Sequence, residues 1–306
     1  MKFWVGITDN EWFDVVSRIP GIDEVNFWQP SEGKTFRALQ PGAPFLFKLH
    51  SPLNYIVGGG FFAHWTRLPI SLAWDAFQEK NGALSFQEMR EQIIPYRKGN
   101  DSQLLDFSIG CILLEQPFFF DKSEWIPMQL STGIQKGKLY DMEDDPGRSI
   151  WQKVQISLAA KGKIAQPQAE NEIPQFGEPT QILPRLGQGS FRVLVTDAYD
   201  RSCAISGEHT LPVLDAAHIK PFPQVGHKIS NGILLRSDIH RLFDRGYVTI
   251  TPDYQIRVSP QLKREFSNGR YYYPFDREPL NHIPSRPDER PAKDYLLWHN
   301  EHVFLF

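Results

Sequence analysis

The chain has 306 residues, 41% hydrophobic and 23% charged, with a formal net charge of −3. That composition is that of a globular protein of about two domains, and the small negative charge excludes a protein that coats nucleic acid by bulk electrostatics. No run approaches the roughly 18 uncharged apolar residues a membrane helix needs, and the opening MKFWVGITDNEWF carries Asp9 and Glu11 where a secretory signal is apolar, so a cytoplasmic chain with no membrane partner is expected.

The N-terminal part alternates apolar and polar residues with period two in KFWVGIT, APFLFKLH, YIVGGGFFAHW and IGCILLEQPFFF, the pattern of aromatic-rich strands in a barrel or sandwich. Helices interrupt it. NEWFDVVSRI has Asp9 or Asn10 placed to cap it, and SLAWDAFQEKNG starts after Pro69 with Ser71 as the expected cap and stops at Gly82. Gly58, Gly59 and Gly60 are not followed by the Lys-Ser/Thr of a phosphate cradle and are read as sites of close backbone packing. Cys111 and Cys203 are too few for a four-thiolate zinc site and are read as buried thiols. From about residue 161 to 184 the chain is polar, Pro-rich and without either period, as a linker is. The domains expected are therefore 1–160 and 185–306. The second opens with a helix in GQGSFRVLVTDAY and a strand at CAISG.

The chemistry concentrates in LPVLDAAHIKPFPQVGHKISNGILLRSDIHRLFDRGYVTI. Hydrolysis of a phosphodiester needs a group to take a proton from water, a cation to meet the developing charge, and ligands for that cation. A neutral imidazole suits the first task, and imidazole with carboxylate suits the last. His218 closes a short apolar stretch and is expected at a strand end. Asn231 and Gly232 mark a turn in which the Asn can bond to backbone and so fix the loop that orients His218. His240 and Asp244 are four apart, one turn of a helix capped by Ser237 or Asp238 and stopped by Gly246, and can share one ion. Strand, loop, strand, helix is the ββα-metal order. Lys220, Arg236, Arg241 and Arg245 either grip phosphates or form an ordinary solvated face. His209 and His227 are read as solvated loop residues, and KDYLLWHNEHVF as a helix covering the core.

This segment resembles the HNH endonucleases, in particular a bacterial subgroup with AHI at the first His and NG…DIHRLFDRG at the end; the likeness runs from about Pro184 onward. It implies that His218 is the general base, that Asn231 positions it, and that His240 binds a divalent ion, Mg²⁺ or Mn²⁺, with Asp244 standing where relatives commonly have His. Relatives often place a ligand immediately before the base, where this chain has Ala217. Either Asp215 substitutes or the ion takes more water.

The stretch VNFWQPSEGKTFRALQPGAPFLFKLHSPLNYIVGGGFF resembles the EVE-like members of the PUA superfamily, a likeness that covers about residues 1–160. It implies a β-barrel with helices and a pocket in which a nucleotide flipped from the duplex is tested by stacking and a few polar contacts. On that resemblance Trp28, read as a loop residue, is a cage aromatic. Asn26, His50 and Ser51 are candidates for the base edge, and Phe61, Phe62 and Trp65 for the walls. Trp4, Trp74 and Trp125 are assigned to the core. The whole is expected to be an α+β protein that senses 5-methylcytosine or 5-hydroxymethylcytosine in double-stranded DNA and cuts nearby, as a homodimer or by successive nicks. A reader with a non-catalytic HNH scaffold and a nuclease or toxin without modification sensing are the rival readings.

Overall fold

The computed structural model describes residues 1–30, 35–97, 106–130, 136–164 and 187–306. The chain divides into two compact units, Met1–Arg185 and Leu186–Phe306. Of the stretch 161–184 read as a linker, residues 161–164 continue a helix and the rest lies outside the described residues.

In the first unit the alternating segments are strands, as their period requires. In chain order it comprises β1 (Lys2–Thr8), α1 (Asn10–Val16), β2 (Glu24–Gln29), β3 (Pro44–Leu49), β4 (Tyr55–Pro69), α2 (Ile70–Phe77), α3 (Phe86–Ile93), β5 (Ser108–Phe119), β6 (Ile126–Pro127), β7 (Gly137–Asp141) and α4 (Gly147–Ile164). The strands form one mixed sheet in the order β2-β5-β4-β3-β1-β7, with β6 on β4. Among the described residues only β1 and β3 run parallel. A barrel was expected; among the described residues the strand path is open, with β2 and β7 at its ends. The long β4 breaks register with β5 between Gly59 and Phe61 and again between Phe62 and His64, and such bulges bend a strand. Glycines allow the tight approach there. A Cβ at Gly58 would collide with the carbonyl of Phe118, and one at Gly59 would lie 2.7 Å from that of Phe45.

Asp9 caps α1 by accepting from the Glu11 amide at 2.9 Å. Ser71 does not cap α2. The helix starts one residue earlier, and the Ser71 amide and hydroxyl donate to the carboxylate of Asp106 at 3.0 and 2.8 Å. A cap from 35 residues away leaves no local trace.

The second unit comprises α5 (Gln188–Ala198), β8 (Leu214–His218), α6 (Phe222–Val225), β9 (Gly232–Arg236), α7 (Ser237–Asp244), β10 (Val248–Ile250), β11 (Ile256–Val258), α8 (Gln261–Phe266) and α9 (Lys293–His302). Its antiparallel pairs β8-β9 and β10-β11 pack with α5, α7 and α9 around Phe191, Val195, Tyr199, Ile233, Leu235, Phe243 and Leu296. The expected strand CAISG is instead a turn. The buried Cys203 sulfur accepts from the Ser206 and Arg236 amides at 3.4 and 3.2 Å, which closes the turn onto β9. Cys111 and Cys203 are both buried, and neither is in a disulfide.

Candidate active site

The hairpin β8-β9 sets the site. His218 is the last residue of β8 and pairs with Gly232, while Ala217 pairs with Ile233 and is fully buried in the core. A ligand at position 217 would therefore point away from solvent. Asn231 is also fully buried, and its side chain bridges Lys220: Oδ1 accepts from the Lys220 amide and Nδ2 donates to the Lys220 carbonyl, each at 2.9 Å. The Asn231 carbonyl accepts from the Ile219 amide. Asn231 thus fixes the chain just after His218 and makes no hydrogen bond to the imidazole among the described residues. Gly232 is required beside it, because a Cβ there would run into Val195 of α5.

His218 is half-buried and lies flat on Phe191 of α5, with ring centroids 4.1 Å apart and planes at 8°. Burial pushes its pKa down to about 4, and the nearby His227 and His240 add to the fall. At neutral pH the ring is uncharged and able to accept a proton. His227 is not the solvated loop residue expected from sequence. It is half-buried, stacked on Phe222 at 3.9 Å, and its Nδ1 lies 3.0 Å from Nε2 of His218. The fold-back that brings it there is the turn at Gly226, whose φ of +79° suits glycine. His209 is exposed, as read.

Helix α7 carries His240 and Asp244. Ser237 does not cap it; its hydroxyl donates to the Val213 carbonyl, and Asp238 is held by Arg236 and by the Tyr272 hydroxyl. The far end is pinned from the C-terminal segment. A Cβ at Gly246 would collide with the Val303 carbonyl, the Leu305 amide donates to the Gly246 carbonyl, and the buried His299 bonds to the Phe243 carbonyl at 3.1 Å.

The His240 ring stands between two carboxylates, with Nδ1 3.4 Å from Asp215 and Nε2 3.3 Å from Asp244. Imidazole and carboxylate oxygen are both ligands for divalent cations, the carboxylate favouring the harder ones. The two nitrogens of one ring diverge, so a single ion takes His240 with Asp215 or with Asp244, and the remaining carboxylate orients the ring. Among the described residues no three of His, Cys, Asp and Glu form a ready metal cage, so water completes the shell of any ion held here. Partial burial pushes the Asp244 carboxyl up, and Asp215 adds to this while His240 and Arg245 oppose it.

The four basic candidates differ. Arg236 spends its guanidinium on Asp238, at 2.6 and 2.9 Å, and is not free for phosphate. Arg241 and Arg245 are exposed on and just beyond α7. The Lys220 ammonium lies over the half-exposed ring of Trp298 at 5.4 Å.

The base-pocket set does not converge. Trp28 is in β2, not in a loop; it is 9% exposed, and its indole donates to the Asn81 carbonyl. Asn26, two residues earlier on the same face, is fully buried and donates to Asn81 and Cys111. His50 and Ser51 follow the far end of β3, about 20 Å along the strand from Pro44, the partner of Phe61. Phe61 faces Phe118. Phe62 and Trp65 belong to another group. Trp65 donates to the Gln29 amide oxygen at 3.1 Å across Gly110, on the face opposite Trp28, and Phe62 meets Phe36, which meets Trp4 and Phe45. Trp4, Phe27, Phe36, Trp65 and Gln29 are all half-buried on this unit. Trp4 had been assigned to the core; the period-two step from Phe27 to Gln29 is the signal that would have joined these residues to Trp65.

The second unit thus presents a β-hairpin followed by a helix, with one imidazole at the strand end and a second flanked by carboxylates on the helix. Residues 203–251, which lie within the second unit and include β8, β9 and α7, match the HNH endonuclease family, so the chain carries an HNH endonuclease domain. No curated protein matches the chain. Among solved structures, the crystal structure of ASCH from Zymomonas mobilis is similar at 12% identity, covering 50% of this chain and 94% of that one with a TM-score of 0.33. A structure described as a modification dependent TagI restriction endonuclease is similar at 14% identity, covering 92% of this chain and 75% of that one with a TM-score of 0.26. Among the described residues no helix is long and apolar enough to cross a membrane.

Proposed function

We propose that this protein is a modification-dependent DNA endonuclease. The observation that carries the nuclease half is the coincidence of the family match at 203–251 with the site itself: His218 at the strand end, Asn231 bridging the following residue, and His240 between two carboxylates. In this reading His218 is the general base and is neutral at working pH. Asn231 fixes its main chain, and His240 with Asp244 or Asp215 holds Mg²⁺ or Mn²⁺. That ion, when bound, neutralises charge on the scissile phosphate and leaving oxygen. Arg241, Arg245 and Lys220 receive neighbouring phosphates.

Residues 1–160, within the first unit, are the modified-base reader. Supporting this is the half-buried aromatic face of Trp4, Phe27, Phe36 and Trp65, next to the Gln29 amide: flat apolar walls with one polar group, as a flipped 5-methylcytosine or 5-hydroxymethylcytosine requires. Asn26 and Trp28 support that face from behind. Double-strand cleavage with one site per chain calls for a homodimer or successive nicks.

The test is to incubate methylated, hydroxymethylated and unmodified plasmids with the protein and Mn²⁺. Cutting confined to modified DNA is the expected result. Equal cutting of all three would make it a nuclease without base sensing, and binding without cutting would make it a reader on an inert scaffold.

A further inference from the structure

A neutral imidazole has one N–H and one lone pair, so a hydrogen bond between two neutral histidines sets both tautomers at once. Nε2 of His218 and Nδ1 of His227 lie 3.0 Å apart, within reach of such a bond. Nδ1 of His218 has no hydrogen bond among the described residues. If His227 were the donor, His218 would carry its proton on Nδ1 and its only lone pair would be taken, so it could accept nothing from water. If His218 donates from Nε2, its Nδ1 lone pair is left over for the reaction.

The surroundings hold this contact in place. His218 lies on Phe191, His227 lies on Phe222 at 24°, and His218 meets Phe222 edge-on at 6.3 Å. The turn at Gly226 and the Asn231 bridge fix the two ends of the segment between the histidines.

We propose that His227 is a positioning residue: its Nδ1 accepts the Nε2–H of His218 and so holds the base in the one tautomer able to take a proton. The inference rests on the nuclease reading of His218. In the step, the O–H bond of water breaks, the proton goes to Nδ1 of His218 and the oxygen keeps the electron pair. The imidazolium formed keeps its Nε2–H bond to the Nδ1 lone pair of His227.

The experiment is ¹⁵N NMR of the full-length protein at neutral pH, with cleavage kinetics on whichever plasmid the wild type cuts, for wild type, His227→Phe and His227→Gln. Phe keeps the stack on Phe222 and removes the acceptor; Gln restores an acceptor oxygen. Expected are an Nε2–H tautomer for His218 in the wild type, loss of that preference in His227→Phe with kcat down about 10- to 100-fold and KM little changed, and recovery of most of the rate in His227→Gln. An Nδ1–H tautomer in the wild type overturns the proposal, as does wild-type kcat in His227→Phe when His218→Ala is inactive. If the wild type cuts no DNA, the nuclease reading fails, and the tautomer of His218 then decides the proton arrangement by itself.

Discussion

Asn231 holds Lys220 at both main-chain groups of that residue, amide and carbonyl, with 2.9 Å on each arm. Because Asn231 is fully buried, no water can replace an arm that is lost. Asn231→Leu leaves a buried donor and a buried acceptor unsatisfied and is expected to destabilise the second unit by about 2–6 kcal/mol, at roughly 1–3 kcal/mol per group. Asn231→Asp loses only the arm to the carbonyl and should fall between. Denaturant unfolding of the three proteins measures this; equal midpoints would mean that the bridge does not form.

The role given to His218 predicts that His218→Ala reduces cleavage about 10²- to 10⁴-fold and leaves divalent-ion binding intact. Calorimetric titration with Mn²⁺ alongside plasmid cleavage separates the two effects. Wild-type cleavage in the variant would remove the base from the proposed mechanism.

For the ion, the divergence of the two His240 nitrogens predicts unequal effects of Asp215→Asn and Asp244→Asn. One variant removes a ligand and should abolish measurable Mn²⁺ binding along with His240→Ala; the other disturbs ring orientation and should weaken binding about 10- to 100-fold. Equal losses in the two carboxylate variants would contradict the shared-ring geometry.

His299 predicts a pH dependence of stability. It is 2% exposed; its Nε2–H donates to the Phe243 carbonyl and its Nδ1 accepts from the Thr249 hydroxyl at 2.8 Å. Burial pushes its pKa down to about 4, against the pull of that carbonyl. Between the ordinary value of 6.5 and about 4 the unfolded chain binds the extra proton and the folded one does not, so stability falls as pH falls through this window and levels off below it. The loss is on the order of 3 kcal/mol. His299→Gln should make the acid limb shallower by about one proton, read from unfolding midpoints between pH 7 and 4; an unchanged limb would place the titration elsewhere.

The two faces of the N-terminal sheet predict opposite outcomes for two tryptophans. Trp28→Ala removes a buried ring and its bond to Asn81, and is expected to cost about 3–5 kcal/mol of stability. Trp65→Ala removes a half-buried ring and should leave the fold in place while reducing the preference for modified over unmodified DNA in a binding assay. If selectivity follows Trp28 and not Trp65, the reader face is the wrong one.

The second unit is largely readable because its determinants are local. Helical spacing puts His240 and Asp244 on one face, and the Asn-Gly turn and the strand end at His218 each lie within a few residues of their cause. What escaped depended on partners far away in sequence: Asp106 capping α2, Cys203 closing a turn onto β9, and Phe191 of α5 lying under His218. His227 escaped because nothing in VGHKIS indicates that Gly226 turns the chain back. The aromatic set failed for another reason. Period two told which residues alternate but not which face of β2 lies against Asn81, so Trp28 was placed in the pocket and Trp4 in the core.

The family match ends at residue 251, yet the helix bearing His240 is braced by His299, Val303 and Leu305. A transplantable cutting module from this protein is therefore longer than its recognisable signature. A graft that stopped at β10 would leave α7 with one flank bare, whereas one carried through Leu305 would bring its own buttress.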